Sequence, residues 1–195
     1  SKETALVKKR FSSHNDWEKT VFDDIKKNII NHLRAEQNNK CCYCKRELGF
    51  DIKEVDIEHI IPKSSHPQFT FHGKNLALSC PGCNTKKGYK PVITKRFVRY
   101  PKTGKEFKII HAHFDVYSDH ILIDKGSVYI ALSSKGSETI TFCELFRLNT
   151  VEKNIKKYKA KQQSELATLT EAIRTGSEEE KNQFLQTIEN LLKRS

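Results

Sequence analysis

Methionine is absent from the 195 residues, tryptophan occurs once, and no stretch approaches the roughly 20 consecutive apolar residues that a membrane-spanning helix needs. The first residues hold no apolar core of the kind a secretory signal requires, so a soluble, cytoplasmic protein is expected. A start at Ser with Met missing fits an N-terminus that has been trimmed or replaced. Internal repeats and low-complexity tracts are lacking, which leaves one or two ordinary folding units with enough chain to bury a core. Acidic residues are scarce beside basic ones, 24 Asp and Glu against 35 Lys and Arg. The resulting charge of +11 gives a surface field that attracts polyanions, above all nucleic acid.

What the chain does have is cysteine. Six cysteines without a secretory signal point to metal binding in a reducing compartment rather than to disulfides. Cys41 with Cys44 and Cys80 with Cys83 form two Cys-x-x-Cys pairs, the spacing at which a turn presents two thiolates to one ion. Four sulfur ligands describe a closed, tetrahedral, structural zinc site that staples distant segments together. Cys42 could compete for the ion, and Cys143 reads as a packed thiol.

Along the chain, residues 1–14 read as a polar, loosely held arm. Trp17, Val21, Ile25, Ile29 and Leu33 recur at helical spacing, so an amphipathic helix is expected from Asn15 to about Ala35, capped by Ser13 or Asn15. A strand over Val55 to Ile61, a second over Asn75 to Leu78, and a short helix from Pro81 to Lys87 ended by Gly88 follow. The segment from Asn84 to Lys108 is rich in Lys and Arg with Glu106 its only acid. Tyr89, Phe97, Tyr100 and Phe107 are interleaved in it, which suits a surface tracking phosphates, drawn as a hairpin turning at Lys102 to Gly104. Strands are expected at Lys108 to Phe114, Ile121 to Ile123, Val128 to Leu132 and Thr139 to Thr141, with turns at Asp124-Lys125-Gly126 and Ser134-Lys135-Gly136. Beyond Cys143 the pattern is helical: a long face from Leu145 to Ile173, a break closed by a Ser177–Glu180 capping box, and a last helix bearing Phe184, Leu185, Ile188, Leu191 and Leu192. Such a helix pair fits a hairpin packed within the chain or against a partner. Three regions result: 1–36 an arm and helix, 37–143 the zinc-stapled core with its β extension, and 144–195 a helical region.

Between the cysteine pairs lie Glu58-His59, Asn75 and, directly after Cys83, Asn84. Hydrolysis of a phosphodiester needs a base for the attacking water and a cation for the phosphate. His59 suits the first task because an imidazole titrates near neutrality. Glu58 and Asn84 offer hard oxygen ligands for Mg²⁺ or Mn²⁺, with Asp56 in reserve, and Asn75 is suited to bracing the loop that carries His59. His111, His113, Asp115 and His120 read as structural groups at strand ends.

The order Cys-x-Tyr-Cys, Glu-His-Ile-Ile-Pro-Lys-Ser, Asn-Leu and Cys-x-x-Cys-Asn-x-x-Lys resembles the HNH endonucleases over about Lys40 to Gly88. The resemblance implies an α+β fold with a ββα-metal core, His59 as general base, Glu58 and Asn84 as ligands of the catalytic ion, and Asn75 as the residue orienting the loop. Glu58 stands where Asp is commoner. The flanking segments resemble the HNH nucleases of Septu and retron-type anti-phage systems, which implies DNA as substrate and an SMC-like ATPase as partner. A zinc-stabilised nucleic-acid-binding or interaction subunit without its own cleavage is the alternative reading.

Overall fold

The computed structural model describes residues 2–51 and 53–192. The chain divides into two compact units, residues 1–147 and 148–195. The fold is α+β, with helices placed before, between and after two separate two-stranded antiparallel sheets.

At its centre, strand β1 (Asp56–His59) pairs with β2 (Leu76–Ser79), and helix α1 (Pro81–Lys87) follows directly, giving the expected ββα unit. The register sets Asp56 opposite Ser79, Glu58 opposite Ala77 and His59 opposite Leu76. All four β2 residues are buried, so both faces of that strand are covered. Pro81 at the first turn and Gly88 at φ 52° delimit α1, as a ring without an N–H and a residue without Cβ should.

The sequence before β1 departs from expectation in two places. Residues Lys2–Arg10 form a helix, α2, rather than a loose arm. Ala5, Leu6 and the lysines are good helix formers, and Glu3 and Lys8 to Arg10 complement the helix dipole. Second, the helix expected from Asn15 begins only at Asp23. His14–Glu18 and Thr20–Phe22 are 3₁₀ turns, and Asp23–Glu36 is the helix, α3. Ser13 and Asp16 cap the first turn reciprocally, and Lys19 at ψ 136° interrupts the winding. Val21 is consequently exposed while Trp17, Phe22, Ile25 and Leu33 are buried. Helix α3 lies against both β1 and β2.

The basic segment is not a hairpin ladder: a single bridge, Ile93 with Phe107, joins its limbs, and Gly104–Glu106 is a 3₁₀ turn. Tyr100 and Phe107 are buried in an aromatic cluster with Phe69 and His111, so they are core rather than contact surface. Lys108 to Phe114 is a chain of turns closed by Asp115, whose Oδ2 accepts the His111 amide at 2.7 Å. The second sheet pairs β3 (Ile121–Asp124) with β4 (Val128–Ala131) through the expected turn, with Lys125 and Gly126 at positive φ.

Thr139 to Thr141 are helical, within α4 (Ser134–Phe142), and Ser134-Lys135-Gly136 is its first turn. Ser133 caps that turn through the Gly136 amide, and the Thr139 hydroxyl bonds the Lys135 carbonyl while accepting the Ile110 amide. Local β propensity yields there to caps and tertiary bonds. Two helices complete the chain, α5 (Arg147–Thr175) and α6 (Glu178–Leu192), the latter opened by the Ser177–Glu180 box. Val151, Ile155, Tyr158, Leu166 and Leu185 are exposed; the side chains of Phe184, Ile188, Leu191 and Leu192 lie outside the described residues. No described helix is long and apolar enough to cross a membrane.

His111 gives this core a pH dependence. The ring is fully buried and stacks on Phe114, with Nε2 2.9 Å from the Tyr100 hydroxyl. Burial, with His113 adding, lowers its pKa from 6.5 to about 3. The folded protein keeps the ring neutral while the unfolded chain protonates it below 6.5, so the unfolded state binds more protons and stability falls as pH drops toward about 3. The slope from this one group is up to about 1.4 kcal/mol per pH unit. Urea unfolding free energies measured from neutral pH downward should decline accordingly, and a His111→Gln variant should show a shallower decline.

Candidate active site and metal centre

Two turns bring the cysteine pairs together. In the first, the Cys41 amide donates to Arg46, the Lys45 amide donates back to Cys41, and Lys45 takes φ 56°, which tightens the knuckle. In the second, Cys80 precedes α1 and its carbonyl accepts the amides of Cys83 and Asn84. The ligand atoms of Cys41, Cys44, Cys80 and Cys83 lie within 4.8 Å of one another, the arrangement expected from the spacing. Cys42 is left out of the cluster; its amide bonds the Leu78 carbonyl at 2.9 Å. Cys143 is fully buried.

The electrostatics of the cluster fit a cation. Burial opposes a thiolate at Cys41, yet hydrogen bonds from Cys42, Cys44, Cys80 and Cys83 bring it below the ordinary thiol range. Neighbouring sulfurs, Cys41 first, hold Cys44 and Cys83 above that range. A divalent ion held between them would let all four be thiolates at once, and four clustered sulfurs suit zinc. Three further residues, none singled out by the motif, support the site. Arg147 sets Nη2 3.7 Å from Cys83 Sγ, Tyr129 of β4 donates to the Cys44 carbonyl at 2.7 Å, and Tyr117 donates to the Tyr43 carbonyl at 2.7 Å. The second sheet thus braces the first knuckle.

Beside the cluster, an open cleft of about 730 Å³ is lined by Trp17, Asp56, Glu58, His59, Lys63, Asn84, Lys87 and Tyr89, among others. His59 Nε2 lies 3.1 Å from the Thr70 carbonyl. A carbonyl only accepts, so Nε2 carries the proton and Nδ1 is left as the basic nitrogen. The Trp17 ring meets the imidazole edge-on at 4.6 Å and fixes its plane. Burial, then the charges of Lys63 and Lys87, lowers the His59 pKa to about 3, so the ring is neutral and able to accept. Asn84 Nδ2 donates to Asp56 Oδ2 at 2.8 Å, which leaves Oδ1 as the acceptor atom of the amide.

Glu58 reaches the same cleft under different constraint. Its side chain is almost fully buried, and Oε1 takes both the Lys87 ammonium and the Tyr43 hydroxyl, the latter at 3.0 Å. Burial raises the carboxyl pKa and the Lys87 charge opposes that rise. Lys87 also donates to the His59 carbonyl at 2.6 Å. Counted by sequence among the basic strip, this lysine is instead an internal cation; its place three residues after Asn84, on the same helical face, was the available signal. Asn75 stands outside the cleft. It accepts the Ile61 amide at 2.8 Å and donates to the carbonyls of Ile61 and Phe69, all buried, and so pins the loop after His59. His111, His113, Asp115 and His120 are engaged in bonds elsewhere, with Tyr100, Leu76, Lys135 and Ser133 respectively.

Asp56, Glu58 and Asn84 together present hard oxygens, which fit a Mg²⁺ or Mn²⁺ ion that keeps several waters. Among the described residues the cysteine cluster is the only group of three or more His, Cys, Asp or Glu side chains close enough to enclose an ion.

Comparison with known proteins agrees with the motif reading. Residues 41–90 match the family model described as HNH endonuclease. Over 89 residues the chain is 34% identical to "Septu protein PtuB" of Bacillus thuringiensis, a match covering 46% of this chain and 30% of the relative. Over 79 residues it is 33% identical to "Retron Vc95 putative HNH endonuclease" of Vibrio cholerae serotype O1 biovar El Tor, covering 39% and 35%. The chain therefore spans about a third of the length of these curated relatives. No solved structure matches the chain.

Two measurements test the site's architecture. Elemental analysis of purified protein should find one zinc per chain, and Cys80→Ala should lose it together with the cooperative thermal transition, since structural zinc contributes on the order of 10 kcal/mol to folding. Asn75→Ala strands a buried amide and two buried carbonyls. It should cost about 3 kcal/mol in urea unfolding while leaving the zinc content unchanged.

Proposed function

Taking residues 41–90 as an HNH endonuclease segment, we propose that this chain is a metal-dependent nuclease that hydrolyses phosphodiester bonds in DNA. The observation that carries the reading is a neutral histidine whose Nε2 is committed to the Thr70 carbonyl, in a cleft that also holds the Asp56–Asn84 pair. His59 Nδ1 takes the proton of the attacking water. The imidazolium so formed is disfavoured by burial and by Lys63 and Lys87, and the substrate's own phosphate charge offsets that penalty. Trp17 and Thr70 hold the ring in its working plane, and Asn75 holds the loop behind it.

Asn84 and Glu58 are the residues that would hold Mg²⁺ or Mn²⁺, with Asp56, hydrogen-bonded by Asn84, beside them as a further oxygen donor. The bound ion supplies charge neutralisation on the phosphate and the leaving oxygen. The Lys87 charge opposes the rise that burial imposes on the Glu58 carboxyl, and its ammonium fixes the end of β1 through the His59 carbonyl. We place the protein in bacterial anti-phage defence, in the cytoplasm and beside an SMC-like ATPase; the similarity to a Septu protein and a retron HNH endonuclease supports the defence setting.

His59→Ala is the decisive variant. In protein that retains its zinc and its melting transition, nicking of supercoiled plasmid under Mg²⁺ or Mn²⁺ should fall by about 100-fold or more, the usual loss when a general base is removed. Undiminished nicking would reject the assignment of the base. Cleavage that appears only on adding the neighbouring ATPase would place control of the nuclease in the partner.

A further inference from the structure

Tyr89 presents an aromatic ring to solvent with 81% of its surface exposed, yet its backbone is held on both sides. Before it, Gly88 closes α1 at φ 52° and donates its amide to the Asn84 carbonyl at 2.8 Å. After it, the Lys90 amide donates to the Lys87 carbonyl at 3.3 Å, and the Lys90 ammonium reaches the carbonyls of Lys86 and Phe142, each at 2.7 Å. The ring is thus displayed by a fixed turn, immediately after the helix that carries Asn84.

The same ring borders two adjoining spaces. One is the cleft that holds His59 and Asn84; the other, of about 470 Å³, is lined by His14, Asn15, Glu18, Lys63, Ser64 and Tyr89. Glu18 and Lys63, paired at 2.7 Å, border both. In this outer space Tyr89 supplies an aromatic face, and every other lining residue supplies a hydrogen-bonding or charged group: an imidazole, an amide, a carboxylate, an ammonium and a hydroxyl. A flat apolar face beside mixed donors and acceptors matches a nucleobase, whose faces stack and whose edges hydrogen-bond. Lys63 stands at the junction and lowers the pKa of His59 by its charge, which places a cation where the backbone phosphate would pass.

We propose that Tyr89 and this outer space receive the nucleobase next to the scissile phosphate, so that the preferred substrate is a single-stranded or locally unpaired nucleotide. Inside a duplex both faces of a base are covered by its neighbours, and stacking on Tyr89 requires the base to leave the stack. The proposal rests on the nuclease reading and narrows its substrate class.

Fluorescence anisotropy with labelled single-stranded, blunt duplex and single-nucleotide-gap oligonucleotides, without added Mg²⁺ or Mn²⁺, tests it in the zinc-loaded protein. Wild type should bind the single strand and the gapped duplex more tightly than the blunt duplex. Tyr89→Ala should weaken both by about 5- to 100-fold, as loss of one base–aromatic stack does, and Tyr89→Phe should restore them. Blunt-duplex affinity should change by less than about twofold, since phosphate contacts carry it. A 2-aminopurine placed beside the cleavage position should be quenched by wild type and not by Tyr89→Ala. Equal affinity for blunt and unpaired substrates, or a Tyr89→Ala protein that binds the single strand as wild type does, overturns the proposal. Plasmid nicking by wild type is read separately: cleavage with an indifferent Tyr89→Ala removes only the stacking site, whereas a wild type inert both alone and with the partner ATPase removes the nuclease reading and leaves the binding comparison to decide the stacking site.

Discussion

Four sulfur atoms gathered within 4.8 Å are the constraint on which the rest of this site depends. They join two turns separated by the whole of β1, its loop and β2, and closing so long a segment costs chain entropy that a bound ion offsets. The consequence is geometric. Cys83 is a ligand, Asn84 is the next residue, and Lys87 lies one turn further along α1, so fixing the second knuckle also fixes a hydrogen-bond partner for Asp56 and a counterion for Glu58. The metal-shaped fold and the chemical cleft share one short helix.

That helix reaches a strand end where polar groups are buried in unusual number. Glu58, Lys87, Asn75 and His59 are all nearly inaccessible, and each has a partner: carboxylate with ammonium and phenol, amide with three backbone groups, imidazole with a carbonyl. A buried ion pair adds little net stability, because desolvation consumes most of its attraction. Its value here is positional. Lys87 ties the Glu58 side chain and the His59 carbonyl to one atom, so the two residues move together with the strand end. Asn75 does the same for the loop beyond, where a slack backbone would let the imidazole turn from the cleft.

How much of this could be read from the chain follows from how local each cause is. The cysteine turns, β1, β2, α1 with its Pro and Gly limits, the Asp124 to Gly126 turn and the Ser177 box are set by residues within a few positions of one another, and the sequence shows them. Lys108 to Phe114 and Thr139 to Thr141 look like strands because their side chains favour extended backbone. Asp115 and Ser133 instead satisfy backbone amides that a strand would have left to a neighbour, and no neighbour exists there. Lys87 was hidden for the opposite reason: a lysine in a basic run looks solvated, and its burial depends on Glu58, far away in sequence. The support of Arg147, Tyr117 and Tyr129 for the cysteine turns is likewise a product of topology alone.

The cysteine cluster and the cleft differ in the donor atoms they offer. Four sulfur donors, with the Arg147 guanidinium beside Cys83, suit a soft ion. The cleft offers carboxylate and amide oxygens on one side only and stays open to solvent on the other, which favours a hard ion that retains water. Because Cys83 and Asn84 are adjacent, the cysteine cluster governs the position of the Asn84 amide. A disturbance of the second cysteine turn therefore reaches the cleft as a displacement of Asn84 and Lys87. The coupling is reciprocal: whatever the cleft binds through Asn84 bears equally on the cysteine turn beside it.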